Sequence, residues 1–523
     1  MYSEITVADK LTDCNRAIPV SGNHTSGKKR SPTEADANRG SYFRNTFAAT
    51  PLERINMADT QNSVLERSLA PGATEVLARL AIETETSAFP TDVMHAAWRS
   101  VLDTIGVALA GAKEPASVII AHHVSDRDHA TESVIWGTEK RASAASAALA
   151  NGTASHVLDF DDTHGLMRGH PSVAVLPAVL AMGERVDATG AEVLEAFIIG
   201  VEVACRLGQL TSHEAYDRGW HVTGTHGVIG ATAAVGRLAG LTADQMCQAI
   251  GVAASHAGGV RQNFGTMTKS LHVGRAGESA ITAVELIQRG FTASSDGVEG
   301  DVGYLAVFGR NGDCSTDELP SLFGNPFALV SPGVNIKVYP SCAFTHPAID
   351  LAVDLAGDLS VEDISRVVVD VVYGAPLILI HHRPYDSLSA KFSLEYCVAA
   401  ALIDGAVTLD HFTLPEIMRE DVQALLRRVE YVVPEEWQAL RGPLKTGQAR
   451  LAVHLADGTV RRSETYAARG TADCPLPDDD LAAKFTKCAG ISLGAERAAE
   501  LFESMRGLAE LSSIKDLTKR LAR

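Results

Sequence analysis

The densest chemistry in this 523-residue chain lies between Asp159 and Ser172, in the run Asp-Phe-Asp-Asp-Thr-His-Gly-Leu-Met-Arg-Gly-His-Pro-Ser. Three carboxylates, a threonine, two histidines and an arginine share a glycine-broken loop between two apolar runs. A solvated turn has no need of that mixture, whereas loops held by a rigid scaffold often carry catalysis. Asp159, Thr163 and His170 suit an orienting acid, a hydroxyl donor and an acid/base. The plainer alternative is an Asx-rich turn with a capping threonine.

Four further clusters have the right residue types. Trp220-His221-Val222-Thr223-Gly224-Thr225-His226 sets two imidazoles before a helix, where a single histidine is usually a cap or a core residue. In Gly265–Arg275, Lys269, His272 and Arg275 recur at helical spacing, so their heads fall near one face. The alternative there is a solvated helix edge, against which the flanking Gly, Met, Leu and Val argue for enclosure. Lys337-Val338-Tyr339-Pro340-Ser341-Cys342 stands at a change of sequence character, where two domains would meet. Tyr373 ends a β-branched run and leads into His381-His382-Arg383-Pro384; strand-end tyrosines are commonly structural.

Other chemistries lack their signatures. There is no His-Glu-x-x-His, and Asp159, Asp161 and Asp162 adjoin or alternate, so the loop is not expected to turn all three toward one ion. No Gly-x-Ser-x-Gly elbow marks a serine hydrolase. No strand precedes Gly227-x-x-Gly230, which reads as close helix packing and not as a dinucleotide loop.

The elements that must position these residues are mostly helical. In 93–111, Met94, Ala97, Trp98, Val101, Leu102, Ile105 and Leu109 fall at i, i+3, i+4 spacing, with Thr91-Asp92 as N-cap and Gly111 as stop. Helical runs follow at Ala142–His156, Glu192–Leu210, His226–Ala239, Ala243–Ala257 and Arg275–Gln288, many dense in Ala and Gly. The pattern changes after Pro332. Arg366–Tyr373 reads as a strand, and Leu451–Leu455 with Thr459–Thr465 as a hairpin around Asp457-Gly458. Helices at Thr345–Ala356 and Ser393–Ile403 lie between them, and helical patterning returns over Asp480–Leu521. The expected fold is mainly α: a large helical bundle domain formed by two chain segments, 66–332 and 468–523, with an inserted smaller α+β lid domain over 333–467. Residues 1–65, rich in Ser, Thr, Asn, Lys and Arg, are expected to be a disordered N-terminal extension, with Met57 a possible true start.

The totals narrow the class. At 46% hydrophobic and 21% charged residues the composition suits a globular enzyme, and the length suits two domains. A formal charge of −18 argues against nucleic acid and anionic membrane as partners. Eight scattered cysteines without a Cys-x-x-Cys pair fit a reducing, cytoplasmic setting.

By order and spacing these motifs resemble the MmgE/PrpD family. They are Asn-Gly-x-x-x-His-x-x-Asp-Phe-Asp-Asp-Thr (151–163) with His-Pro-Ser (170–172), Gly-Trp-His (219–221), Thr-Lys-x-Leu-His-x-Gly (268–274) and Lys-x-Tyr-Pro-x-Cys (337–342). The resemblance spans roughly residues 66 to 520. It implies a homodimer and a site between bundle and lid that uses no metal or other cofactor. Carried over by motif, Asp159, His170, His221 and Tyr373 would be catalytic, and Thr163, Lys269, His272, Lys337 and Cys342 would bind substrate. Cys342 is a departure, since animal cis-aconitate decarboxylases of the family carry histidine there.

The family's chemistry is lyase or isomerase chemistry on small polycarboxylates. Removing a proton next to a carboxylate builds negative charge that lysines in a low-dielectric cleft stabilise. A histidine near neutral pKa can move that proton. The leading expectation is a metal-independent lyase on a small di- or tricarboxylate, of 2-methylcitrate dehydratase or cis-aconitate decarboxylase type. The alternatives are an epimerase of a dicarboxylate such as iminodisuccinate, and a polycarboxylate-binding protein without turnover.

Overall fold

The computed structural model describes residues 72–85, 89–212, 214–309, 314–438 and 447–523. The expected N-terminal extension and Met57 lie outside the described residues. The fold is mainly α. Its longer helices are α1 (Ala73–Glu83), α2 (Thr91–Gly111), α3 (Pro115–Ser125), α4 (Ala144–His156), α5 (Pro171–Val186), α6 (Gly190–Thr211), α7 (Val222–Leu238), α8 (Ala243–His256) and α9 (Met267–Gln288). After these come α10 (His346–Ala356), α11 (Leu394–Asp404), α12 (Asp478–Leu493) and α13 (Ala495–Arg506). Among the described residues no single helix is long and apolar enough to cross a membrane.

Small residues let the bundle helices approach closely. A Cβ at Gly152 of α4 would lie 2.9 Å from the Cα of Gly274 on α9, so these helices cross nearly backbone to backbone. That crossing draws the end of α4 toward the start of α9. One large hydrophobic cluster joins Val101, Ile105, Leu176 and Phe197 to Phe485, Leu501 and Leu517, so the last chain segment packs into the same core as the first. A separate cluster is built by residues 339–453, with Val367, Val369, Tyr396 and Leu451 among its members.

That second cluster lies against a four-stranded sheet of β5 (Ile364–Val371), β6 (Val429–Val432), β7 (Ala449–Leu455) and β8 (Val460–Thr465), in the order β6-β5-β7-β8. β7 and β8 form the hairpin that Asp457-Gly458 announces, Gly458 taking φ +89°. The parallel partner β6 was not foreseen; Val-Glu-Tyr-Val is too short to show a period, and its pairing depends on the crossover through α11. Two short pairs complete the strands, β1 (Ser133–Val134) with β2 (Arg141–Ala142) and β3 (Thr163–His164) with β4 (Val334–Asn335).

Three helix starts differ from expectation. α2 begins at Thr91 after Pro90, so Asp92 sits in the first turn near the positive helix end instead of capping it. α7 begins at Val222 and α9 at Met267, several residues early. Glycine and threonine, weak helix formers, hide both starts in the sequence, yet these first turns carry the site.

Candidate active site

Helix ends and one loop build the site. α4 ends at His156, and the chain turns at Asp159, a non-glycine residue at φ +51°. Such a left-handed backbone is uncommon outside glycine and needs surrounding contacts to hold it. The loop then pairs as β3 with β4, turns again at Arg168 (φ +58°) and enters α5 behind His170-Pro171. Asp162 ties the loop to that helix, accepting hydrogen bonds from Ser172 Oγ and, at 3.3 Å, from the Ser172 backbone. Burial, with Asp103 and Asp161 nearby, pushes the Asp162 carboxyl up to about 8.

Two buried carboxylates organise two different groups. Asp159 lies between ammoniums: Lys269 Nζ is 2.5 Å from its Oδ1 and Lys337 Nζ 3.1 Å, and Lys337 also donates to the Asp159 carbonyl at 2.7 Å. Burial opposes ionisation of Asp159, but Lys269 and Lys337 together hold it well below the usual carboxylate range. Asp161 instead takes imidazoles, with His156 Nδ1 at 2.9 Å and His170 Nδ1 at 2.8 Å from the same oxygen. Burial pushes His170 below its ordinary pKa and His156 down to about 3, despite the nearby Asp161 carboxylate. Both rings are therefore neutral at neutral pH; His156 hydrogen-bonds Asp161 through Nδ1, while His170 Nδ1 is close to the same oxygen without a well-aligned hydrogen bond. The carboxylate that orients His170 is thus Asp161, and not Asp159 as its loop position suggested.

These groups border a pocket. Asp159, Thr163, His170, His221, Lys269 and Cys342 all line it. Lys337 is buried beside it, reaching Asp159. His272 stands behind His221, their Nδ1 atoms 3.0 Å apart, so it supports that ring instead of facing the cavity. Burial, with His156 and Lys269 nearby, pushes His221 well below its ordinary pKa. Tyr373 lies apart from these groups: β5 ends at Val371, and Tyr373 is 38% exposed and outside the lining, which Ile378 of the following loop joins. Arg275 turns outward to Glu278, and His226 is a core residue bonded to Tyr304.

Several lining or supporting residues were not foreseen. His156 appears in the motif as a spaced letter, but nothing in its helix of small residues marked it as a partner of Asp161. Asn335 reaches Thr163 Oγ1 at 3.4 Å through the β3–β4 pair. Tyr216, Phe264, Phe344, Ile378 and Phe392 give the pocket its apolar walls, and no local pattern distinguishes them from core residues. Burial pushes the Cys342 thiol up to about 11, so it is a small neutral wall.

His156, Asp159, Asp161 and His170 offer ligand atoms that all lie within 4.8 Å of one another. The left-handed turn at Asp159 breaks the alternation that argued against such convergence, while Asp162 is turned away to Ser172. Protein groups already surround both carboxylates here: two ammoniums on Asp159, and on Asp161 the His156 ring by a hydrogen bond and the His170 ring by close approach.

A mainly helical chain with an α+β region thus carries a pocket in which two lysines around a carboxylate adjoin neutral imidazoles, groups able to hold an anion and to move a proton. Residues 75–317 match the model of the MmgE/PrpD N-terminal domain and residues 339–508 that of the MmgE/PrpD C-terminal domain. The chain belongs to the MmgE/PrpD family. It is 29% identical over 438 residues to a cis-aconitate decarboxylase of Mus musculus, covering 81% of this chain and 88% of that protein. The cis-aconitate decarboxylase of Homo sapiens is 29% identical over 442 residues (82% and 89% covered), and one of Aspergillus terreus 25% over 474 residues (86% and 96%).

Proposed function

We propose that the protein is a lyase acting on a small di- or tricarboxylate by proton transfer at a carbon next to a carboxylate, as a homodimer whose α+β region serves as a lid. The observation that carries the reading is the adjacency of two centres: a neutral His170 held by buried Asp161, and two lysines held around Asp159. His170 Nε2 takes the proton, and Asp161 stabilises the imidazolium that results. The charge left on the substrate spreads onto its carboxylate, which Lys269 and Lys337 stabilise in a pocket walled by Phe264, Phe344 and Phe392. In dehydration the β-hydroxyl then leaves as water, taking a proton from a site acid. Decarboxylation needs no prior abstraction: the departing carbon dioxide leaves its bonding electron pair on the substrate, the lysines stabilise that charge on a remaining carboxylate, and a site acid delivers one proton to carbon. Thr163 and Asn335 supply neutral hydrogen bonds. The cis-aconitate decarboxylase relatives support the lyase class; Cys342, a neutral thiol without an imidazole's proton-transfer range, leaves that work to His170 and His221.

An epimerase is the second reading, favoured by one feature: His170 and His221 both line the pocket as neutral bases, enough to serve two faces of one carbon. A turnover screen of 2-methylcitrate, citrate, cis-aconitate and iminodisuccinate in deuterated water tests both readings. Release of water or carbon dioxide is the expected result. Label exchange without loss of either identifies an epimerase, and tight binding with no exchange or turnover identifies a binding protein.

A further inference from the structure

We infer that Lys484, from the last chain segment, is a positioning residue that sets the two site centres relative to each other. The inference rests on the proposed site, but its central contact is independent of the reaction. The Lys484 ammonium donates to two carbonyls, Lys337 at 2.8 Å and Phe160 at 2.9 Å, and forms an ion pair with Asp103, whose Oδ1 lies 2.6 Å away. The same nitrogen lies 3.9 Å above the Phe160 ring. Lys337 belongs to the lysine pair, while Phe160 stands between Asp159 and Asp161 in the chain. One side chain on α12 therefore grips the backbone beside both carboxylates and beneath one lysine.

The surroundings show what keeps it there. Asp103 is fully buried on α2, and the Lys484 side chain is 8% exposed. α2 and α12 meet closely at Gly106, where a Cβ would come within 3.0 Å of the Phe485 ring next to Lys484. Asp103 supplies the counter-charge, which leaves two ammonium hydrogens for the carbonyls. Any buried acceptors would satisfy those hydrogens, and here they fall on the backbone beside both site carboxylates and under Lys337.

Removing one partner of a buried ion pair strands the other, so single variants mix unfolding with mispositioning. The test compares Asp103→Asn, Asp103→Asn with Lys484→Gln, and Asp103→Asn with Lys484→Met. The first keeps the amine on both carbonyls, the second keeps N–H donors without charge, and the third has none. Each is read by melting temperature, by kcat and KM on the substrate found in the screen, and by amide hydrogen exchange. In the methionine pair we expect faster exchange over 157–164 and 334–342, unchanged exchange in α6 and α8, and kcat/KM lower by about tenfold or more. The glutamine pair should fall between it and Asp103→Asn. Equal exchange over both segments in all three variants overturns the inference, whatever the enzyme's substrate proves to be. Should the methionine pair fail to fold, the glutamine pair decides: faster exchange confined to 157–164 and 334–342 with a lower kcat/KM than Asp103→Asn supports the inference, and exchange equal to Asp103→Asn, or faster throughout the bundle, overturns it. If the parent turns over none of the acids, the functional reading fails and the exchange data alone judge the clamp.

Discussion

The two sides of the pocket are built on different principles. The bundle side is made of helix ends: His156 closes α4, His170 and His221 stand just ahead of α5 and α7, and Lys269 lies in the first turn of α9. Backbone-close crossings hold those ends, and one buried carboxylate, Asp161, orders two of the rings. The side from the α+β region gives Cys342, Phe344, Ile378 and Phe392, mostly apolar wall, with Lys337 at its threshold. Proton transfer needs fixed distances, and the rigid helix ends supply them. Recognition needs enclosure and charge, which loops of a separate core can supply. The comparison predicts that damage on the bundle side lowers kcat, and damage on the other side raises KM.

The largest effect should come from His170. His170→Gln keeps the ring's approximate size but removes the proton acceptor, and is expected to lower kcat by about 10²–10⁴-fold with affinity largely kept. Asp161→Asn should follow in the same parameter, because an amide can donate to Nδ1 and so favour the wrong tautomer. Steady-state kinetics with calorimetry of a non-reacting tricarboxylate separates the terms. Near-normal kcat in His170→Gln moves the acid/base role to His221.

Lys337→Ala tests the other side. In the proposed reaction Lys337 pairs with a substrate carboxylate that is charged before and during reaction, so its loss should raise KM by about tenfold to a hundredfold, the equivalent of about 1.5–3 kcal/mol. Asp159 keeps Lys269 as its partner in the variant, which limits the damage to folding. Unchanged affinity would remove the α+β region from substrate recognition.

The sequence made these two sides unequally legible. Helices with a clear 3.6-residue period, such as α2, can be read because one face is apolar, and the strand β5 because β-branched residues crowd it. The motif letters Asp159, His170, His221 and Lys269 were visible because polar groups of that kind are rare between buried elements. What escaped was relational. Which aspartate meets His170 depends on a left-handed turn at Asp159 that no residue type announces. Lys484 looks like any helix-surface lysine, and only the fold brings it to residues 324 and 147 positions away. Tyr373 was placed by motif, but the strand ends two residues before it.

A smaller, global effect concerns pH. Burial lowers the pKa of eight histidines: His156, His226 and His346 to about 3, His164 to about 4, and His95, His170, His221 and His272 as well. Below their unfolded pKa near 6.5 the unfolded chain binds protons that the native state refuses, so stability is full above that pH and falls as pH drops toward 4. Asp103, Asp162 and Glu184, raised by burial, act in the opposite sense. The lowered histidines outnumber the raised carboxyls, so acidification from pH 6 to 5 should lower stability on balance. Most of these histidines lie in or under the bundle side, so melting should become steeper in pH there first. Thermal melts from pH 7.5 to 5 check the sign; a melting temperature that rises on acidification overturns it.

The smallest expected effect is that of a chelator. His156, Asp159, Asp161 and His170 are close enough together to hold an ion. Binding one would require Asp159 to exchange its ammoniums, and Asp161 its two imidazole neighbours, for the metal. The Nε2 atoms would also have to be withdrawn from proton transfer, or the rings turned about. Lys269 and Lys337 already provide the positive charge that a Lewis acid would bring to a substrate carboxylate. Protein treated with EDTA and stripped of metal should therefore keep its kcat and KM, with elemental analysis confirming removal. Loss of turnover restored by one divalent ion would make the bundle side a metal centre. Asp161 would then be a ligand and no longer the group that orients His170, and the division between a proton-moving side and a recognising side would have to be redrawn around the ion.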